Sequence, residues 1–244
     1  MKKNRWLVRA PSNIALIKYM GKKDAPADLG ANLPENASLS MTLDNLCTFV
    51  EIQRTEGEGT VLLPGLPDIS SAALPPQYSL REPDLSAKGR EKVLRHVERV
   101  RSELGVAGGF GLALKTANTF PEASGIASSA SSFAAITLAT ALACSEDPAA
   151  FESAWLSDPK LRRTLARLSR KGSGSSCRSF EGPFVEWEGE DAYPVASGLP
   201  ELAHFVILIS SESKAVSSSE AHARVKSSPL WPARAERRAS REDR

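Results

Sequence analysis

Apolar residues recur along this chain with two periods, and each marks a different element. In residues 88–104 the period is three to four. Val93, Val97, Val100 and Leu104 share one face and charged side chains cover the rest, which predicts an amphipathic helix. Residues 158–170 repeat the pattern with Leu161, Leu165 and Leu168. Elsewhere the period is two. Residues 43–54 alternate Leu46, Thr48, Val50 and Ile52 against Cys47, Phe49 and Glu51, and residues 108–115 alternate through Phe110, Leu112 and Leu114. Both read as strands. Short apolar runs at 6–10, 184–188 and 205–210 predict three more, the last buried on both faces. Residues 32–43 start as loop and become extended. Residues 57–86, rich in Gly, Pro, Ser and Asp, predict turns, a weak hairpin and a variable surface. The polar end, 233–244, predicts a frayed terminus. Strands and helices mix without a regular βαβ beat or an internal repeat, so an α+β layer architecture is expected.

One stretch fits neither period. PEASGIASSASSFAAITLATALA, residues 121–143, places four serines and two alanines between Gly125 and Phe133, ahead of a long small-residue helix. A helix N-terminus exposes unpaired N–H groups and a partial positive charge, and phosphate binds there when the backbone can come close. Gly125, Ile126, Ala127, Ser128 and Ser129 supply that access, with hydroxyls for phosphate or magnesium. Close helix packing with a serine cap explains the same composition. No GK[ST] follows the glycine, so this is not a Walker A loop.

Two further loops have a similar character. SRKGSGSSCRS, residues 169–179, joins small hydroxyls to fixed cations. Arg178 offers a planar fork suited to carboxylate or phosphate, although a solvated serine-rich turn would look alike. NIALIKYMGK, residues 13–22, carries Lys18 within an apolar run, so its ammonium either snorkels to the surface or meets an anion.

Composition narrows the field. The formal net charge of +2 implies no strong polyanion field, and no basic stripe with a recognition motif suggests nucleic acid. Cys47, Cys144 and Cys177 lie far apart, without a CxxC pair, which argues against a zinc site or a disulfide framework. No apolar run reaches the length needed to span a bilayer, and the start is too short for a signal peptide. A cytoplasmic location is the default expectation, with no membrane partner.

APSNIALIKYMGK, NLPENASLSMTL, NTFPEASGIASSASSFAA, SRKGSGSSCRSFEGPFVEW and KAVSSSEAHARVKSSPL, in that order, resemble the mevalonate diphosphate decarboxylase family of the GHMP kinase superfamily. The resemblance implies the GHMP kinase fold. A ribosomal protein S5 domain 2-like N-terminal domain, with an unusual left-handed βαβ unit, would occupy residues 1–190. A truncated ferredoxin-like C-terminal domain would occupy 191–244. It also implies ATP-dependent decarboxylation of mevalonate 5-diphosphate to isopentenyl diphosphate in isoprenoid biosynthesis, with ATP and Mg2+ as cofactors and a homodimer as a common assembly. By resemblance, Gly125, Ile126, Ala127, Ser128 and Ser129 form the ATP phosphate loop, with Ser129 also toward Mg2+ and Asn118 holding the nucleotide. Lys18 lies near the transferred phosphoryl group. Tyr19, Lys22 and Ser218 hold the substrate diphosphate, Ser173 and Ser175 line its pocket, and Arg178 grips the carboxylate. Loop hydroxyls that merely cap backbone groups are the alternative at Ser173 and Ser175.

The chain departs from the family in three places. The family's catalytic aspartate lies in a DAGPN-type tract that is absent here. After residue 190 the aspartates are Asp191, which reads as a turn residue between strands, and Asp243 in the charged tail. Ala221-His222 stands where Gly-Met is usual, and Ser219 where bacterial relatives often carry an arginine. The chain stops where a C-terminal lobe is expected, which suggests a fragment, a frameshifted product or a decayed paralogue. A sister enzyme acting on mevalonate 5-phosphate, or a non-catalytic remnant that binds nucleotide or a partner, fits the same residues.

Overall fold

A computed structural model of the chain describes residues 4–23, 32–69, 78–106, 108–121, 128–196, 198, 202–207 and 218–233. Its frame is one six-stranded sheet. β1 (Arg5–Ile17) and β2 (Ser38–Thr55) form a long antiparallel pair. Pro11 and Ser12 do not interrupt β1. The register shifts there instead, because Pro11 pairs with Cys47 and Ser12 with Leu43, which leaves Asp44, Asn45 and Leu46 looped out of β2. Such a bulge bends both strands without ending them. The far edge of β2 is shared: its end pairs with β4 (Gly111–Asn118) and its start with β5 (Phe184–Glu188). β3 (Thr60–Leu62) runs parallel to β4, and β6 (Asp191–Pro194) closes a hairpin with β5.

β4 starts three residues later than its alternation predicts, because Gly108 and Gly109 adopt positive φ and turn the chain first. The domain division expected at residue 190 falls inside the β5–β6 hairpin, so the first sheet continues to Pro194. Asp191 is not a turn residue. It opens β6, and Arg167 holds both its carboxylate oxygens, at 2.7 and 2.8 Å. The strand expected at 205–210 does not form in its described part: residues 202–207 lack regular structure, with Phe205 86% and Ile207 85% exposed. A strand buried on both faces needs neighbours, and the described residues supply none; residues 208–210 lie outside them.

Helices cover one face of the sheet. α1 (Ala87–Glu103) begins at Ser86, whose hydroxyl accepts from the Gly89 N–H, and buries Val93, His96, Val97 and Val100. Leu104 is the C-cap rather than part of that stripe. α2 (Ser128–Cys144) is buried nearly all round, with Ala135, Ala139 and Ala143 fully inaccessible. Small side chains let it lie close to β1 and β2, against Trp6, Val8, Val50 and Ile52. The hydroxyls of Thr137 and Thr140 avoid a desolvation penalty by bonding back to Phe133 O and Ile136 O, each at 2.7 Å. α4 (Pro159–Arg170) follows α3 (Pro148–Ser157), a helix that the apolar periods do not predict. Both start alike: Asp147 and Asp158 cap the first N–H groups, and a proline follows each. α3 buries no residue, so it carries no stripe to read. α5 (Ser218–Arg224) is a short helix ahead of Trp231.

Candidate functional site

The loop after α4 is built around a glycine. A Cβ at Gly172 would lie 2.2 Å from Phe133 and 2.7 Å from His96 Nδ1, so only glycine lets the chain pass there. A 3-10 helix follows at Gly174–Ser179. The Ser176 hydroxyl ties it to Ser173 O at 2.7 Å and to Ser169 at 2.9 Å. These bonds turn Arg178 inward, where it is 3% exposed.

Arg178 Nη1 donates to Ser38 Oγ at 2.9 Å and Nη2 to Asn13 Oδ1 at 3.3 Å. Asn13 is itself fixed, donating to Ser179 Oγ at 2.8 Å and Ser175 O at 3.1 Å. The guanidinium also lies 5.6 Å from the ring centre of Tyr19 and 5.3 Å from that of Trp187. Its Nε has no partner, and no ion pair joins it to a carboxylate among the described residues. Burial pulls its pKa below the usual arginine value, with Cys177 and Tyr19 opposing.

Further cations act with Arg178 on one histidine, His222. Lys22 Nζ donates to Asn32 Oδ1 at 2.6 Å, and Asn32 donates to Arg170 O at 2.8 Å. Burial, then the charge of Lys92, lowers the Lys22 pKa. Tyr19 is buried and stacks on His222, with ring centres 4.5 Å apart and planes 11° from parallel. Burial pushes the Tyr19 hydroxyl up. His222 Nδ1 accepts from the Gly21 N–H at 3.2 Å. Burial and the charges of Lys22, Lys18 and Arg178 press the His222 pKa down to about 4. The same turn is capped by Trp231, because Gly21 has φ +79 and a Cβ there would lie 2.6 Å from that ring. Glu35, beside this turn, is engaged by Lys226 at 3.7 Å.

Tyr19, Lys22 and Arg178 are thus brought together, and Lys18, exposed just past β1, directs its charge at the same histidine. Ser173 does not cap the 3-10 helix; its hydroxyl donates to Ser129 Oγ at 3.2 Å and joins this loop to the start of α2. Ser175 is half-buried and contributes its carbonyl. Ser128 opens α2. Asn118 ends β4, where its Oδ1 accepts from Thr48 at 2.7 Å, and Thr48 in turn meets Ser131 of α2 at 2.7 Å. Gly125, Ile126 and Ala127 lie outside the described residues, and Ser218 opens α5. Among the described residues no group of three or more His, Cys, Asp or Glu side chains is placed to hold a metal ion, and no helix is long and apolar enough to cross a membrane.

Sequence reasoning missed Asn13, Ser38, Asn32 and Trp187 as members of this pocket. Asn13 is the one it could have found, since a polar residue at a buried strand position requires a partner. His222 was visible only as a departure from the family pattern.

Comparison with known proteins shows the family of this chain. Residues 10–197 match the family described as diphosphomevalonate decarboxylase-like N-terminal domain. The human diphosphomevalonate decarboxylase is 36% identical over 245 residues, covering 93% of this chain and 54% of that protein. A solved mevalonate diphosphate decarboxylase from Legionella pneumophila superposes with a TM-score of 0.72 at 38% identity, covering 97% of this chain and 68% of that one. A complex of MDDEF with MVAPP, AMPPCP and magnesium superposes with a TM-score of 0.54 at 29% identity, covering 79% and 51%. The chain spans about half the length of the curated relatives it matches. With the GHMP kinase fold, the five ordered motifs and a match across most of its length, the chain belongs to the diphosphomevalonate decarboxylase-like N-terminal domain family.

Proposed function

We propose that this chain supplies the anion-binding half of an ATP-dependent diphosphomevalonate decarboxylase, with mevalonate 5-diphosphate bound among Lys18, Lys22 and Arg178. The observation that carries this reading is Arg178, a buried guanidinium with an unpaired Nε and no carboxylate among the described residues. Taking a lone cation out of water costs several kcal/mol. A pocket that tolerates this cost suits an anion arriving from outside.

In this reading Arg178 holds the substrate carboxylate, fixed between Asn13 and Ser38. Tyr19, Lys22 and Ser218 face the diphosphate, and Ser173 and Ser175 line the wall. Asn118, Gly125, Ile126, Ala127, Ser128 and Ser129 hold ATP. The MDDEF complex with AMPPCP and magnesium supports nucleotide and metal as cofactors. Mg2+ takes oxygen ligands, keeps several waters and is bound largely through phosphates, so the exposed Ser129 hydroxyl fits the task. Phosphoryl transfer from ATP to the tertiary hydroxyl converts a poor leaving group into a good one. Phosphate then departs, and the C–C bond to the carboxylate supplies its electron pair to the new double bond as CO2 leaves. The protein's part is to position and neutralise anions. The truncated second domain expected at 191–244 follows the β5–β6 hairpin in this reading, and a cytoplasmic homodimer belongs to the same reading.

A second reading, anion binding without turnover, is favoured by one observation. Asp191 is held by Arg167 and Glu35 by Lys226, so neither is poised as a general base. Incubation with MgATP and mevalonate 5-diphosphate, followed by mass spectrometry for isopentenyl diphosphate, separates the two. Product that disappears in Arg178→Ala supports the decarboxylase. No product from folded protein that binds both ligands supports the second reading. A folded protein that binds neither ligand overturns both.

A further inference from the structure

We propose that His222 is an anion-binding residue whose Nε2–H donates a neutral hydrogen bond to a phosphate oxygen held among Lys18, Lys22 and Arg178. The inference rests on the reading of this pocket as the diphosphate site, and three observations fix the ring for the task. Its plane is set by the stack on Tyr19, at 4.5 Å and 11°. Its tautomer is set by Gly21: a backbone N–H can only donate, so Nδ1 accepts at 3.2 Å and the proton of the neutral ring sits on Nε2. Nε2 has no partner among the described residues, yet it is not one of the buried atoms sealed from solvent. The ring therefore presents one donor, in one orientation, and the charges of Lys22, Lys18 and Arg178 act on it.

The position of Gly21 gives this arrangement its rigidity. The turn requires positive φ and leaves no room for a Cβ under Trp231, so the N–H that sets the tautomer cannot drift far. The chemical logic is complementary to the neighbouring charges. A diphosphate has more acceptor oxygens than negative charges, and Lys18, Lys22 and Arg178 already supply positive charge. A neutral donor satisfies another oxygen without adding cation–cation repulsion. It also links the segment that carries α5 to the ligand, so that this segment contributes to the pocket and does not merely pack beside it.

The test is calorimetric titration of this chain with inorganic pyrophosphate, using wild type, Lys22→Gln and His222→Phe. Phenylalanine keeps an aromatic face against Tyr19 and removes both nitrogens. The expected result is weaker binding in both variants, by about tenfold for His222→Phe, the effect of one hydrogen bond to a charged group. Binding by His222→Phe equal to wild type, with Lys22→Gln impaired, overturns the role of His222 and leaves the pocket reading intact. No binding by folded wild type overturns the pocket reading and this inference together. Should His222→Phe fail to fold, nitrogen-detected NMR of the wild-type ring decides. Pyrophosphate is expected to move the Nε2 resonance and leave Nδ1 nearly unchanged; an unmoved Nε2 overturns the proposal.

Discussion

Two buried histidines, in two regions of the molecule, share almost every local property and differ in what lies in front of them. His96 on α1 is 2% exposed, lies edge-on to Phe133 and bonds Thr137 Oγ1 through Nε2 at 2.8 Å. Because Thr137 gives its own hydrogen to Phe133 O, the His96 Nε2 must donate, and Nδ1 is left without a partner. His222 is also buried and stacked on an aromatic ring, with one nitrogen bonded and one unused. Burial lowers both pKa values, to about 3 and about 4. Yet the spare nitrogen of His96 is sealed beside Gly172, while that of His222 is not sealed from solvent and the charges of Lys22, Lys18 and Arg178 act on its ring. Burial and pKa alone do not separate a packed core group from a candidate binding group. The space beside the unpaired atom does.

Acid offers the largest expected perturbation of this comparison. A histidine with a depressed folded pKa binds protons more readily in the unfolded chain. Its contribution to stability is therefore complete above the unfolded value and is lost progressively as pH falls toward the folded one. For His96 the window runs from its ordinary value of 6.5 down to about 3. Each tenfold gap in proton affinity corresponds to about 1.4 kcal/mol. Urea midpoints are expected to fall between about pH 6.5 and about pH 5, before most carboxylates titrate, and His96→Phe should flatten the slope. A wild-type midpoint that stays level across that range would count against the sealed environment of His96.

Crowding at Gly172 comes next. Gly172→Ala drives a methyl into Phe133 and His96, and a loss of about 3 kcal/mol is expected from overpacking. Thermal melts measure it, and a wild-type-like melting curve would show that the loop yields easily. Arg178→Met should do the reverse on the open side. It removes an uncompensated buried charge, so the melting temperature is expected to hold or rise. Carboxylate and diphosphate binding should weaken by about 2 kcal/mol or more. Titration with mevalonate 5-diphosphate checks this, and unchanged affinity would remove Arg178 from the site.

Two smaller changes refine the contrast. Thr137→Val leaves the His96 Nε2–H without its acceptor, and about 1–2 kcal/mol of stability should be lost with pyrophosphate affinity unchanged. A matching loss of affinity would show that the two regions are coupled. Ser173→Ala removes only the exposed bond to Ser129, so a stability change within about 0.5 kcal/mol is expected. A larger drop in the melting curve would mean that this contact anchors the loop to α2.

Much of the fold was legible because burial imposes periodicity. The stripe of Val93, Val97 and Val100 fixed α1, the alternation through Leu112 and Leu114 marked β4 within three residues, and the small side chains of 128–143 announced a helix packed on every side. α3 was illegible by that criterion because it buries nothing, although its Asp147-Pro148 start repeats the signal at Asp158-Pro159. In the described part of the strand expected at 205–210, residues 205–207, no strand forms, for the opposite reason. An apolar run states a preference for burial, and only neighbours can satisfy it.

By itself the sequence determined the mixed class, the order of motifs and the residue types of the candidate pocket: hydroxyls, cations and glycines in three segments, of which 13–22 starts within β1. These are local properties of propensity, period and backbone freedom. Tertiary structure decided what those residues meet. Long-range contacts gave Arg178 its partners on β1 and β2, bound Asp191 to Arg167 and laid His222 across Tyr19 from more than two hundred residues away. Such pairings leave no periodic trace in the chain, because they depend on which faces the folded sheet and helices bring together.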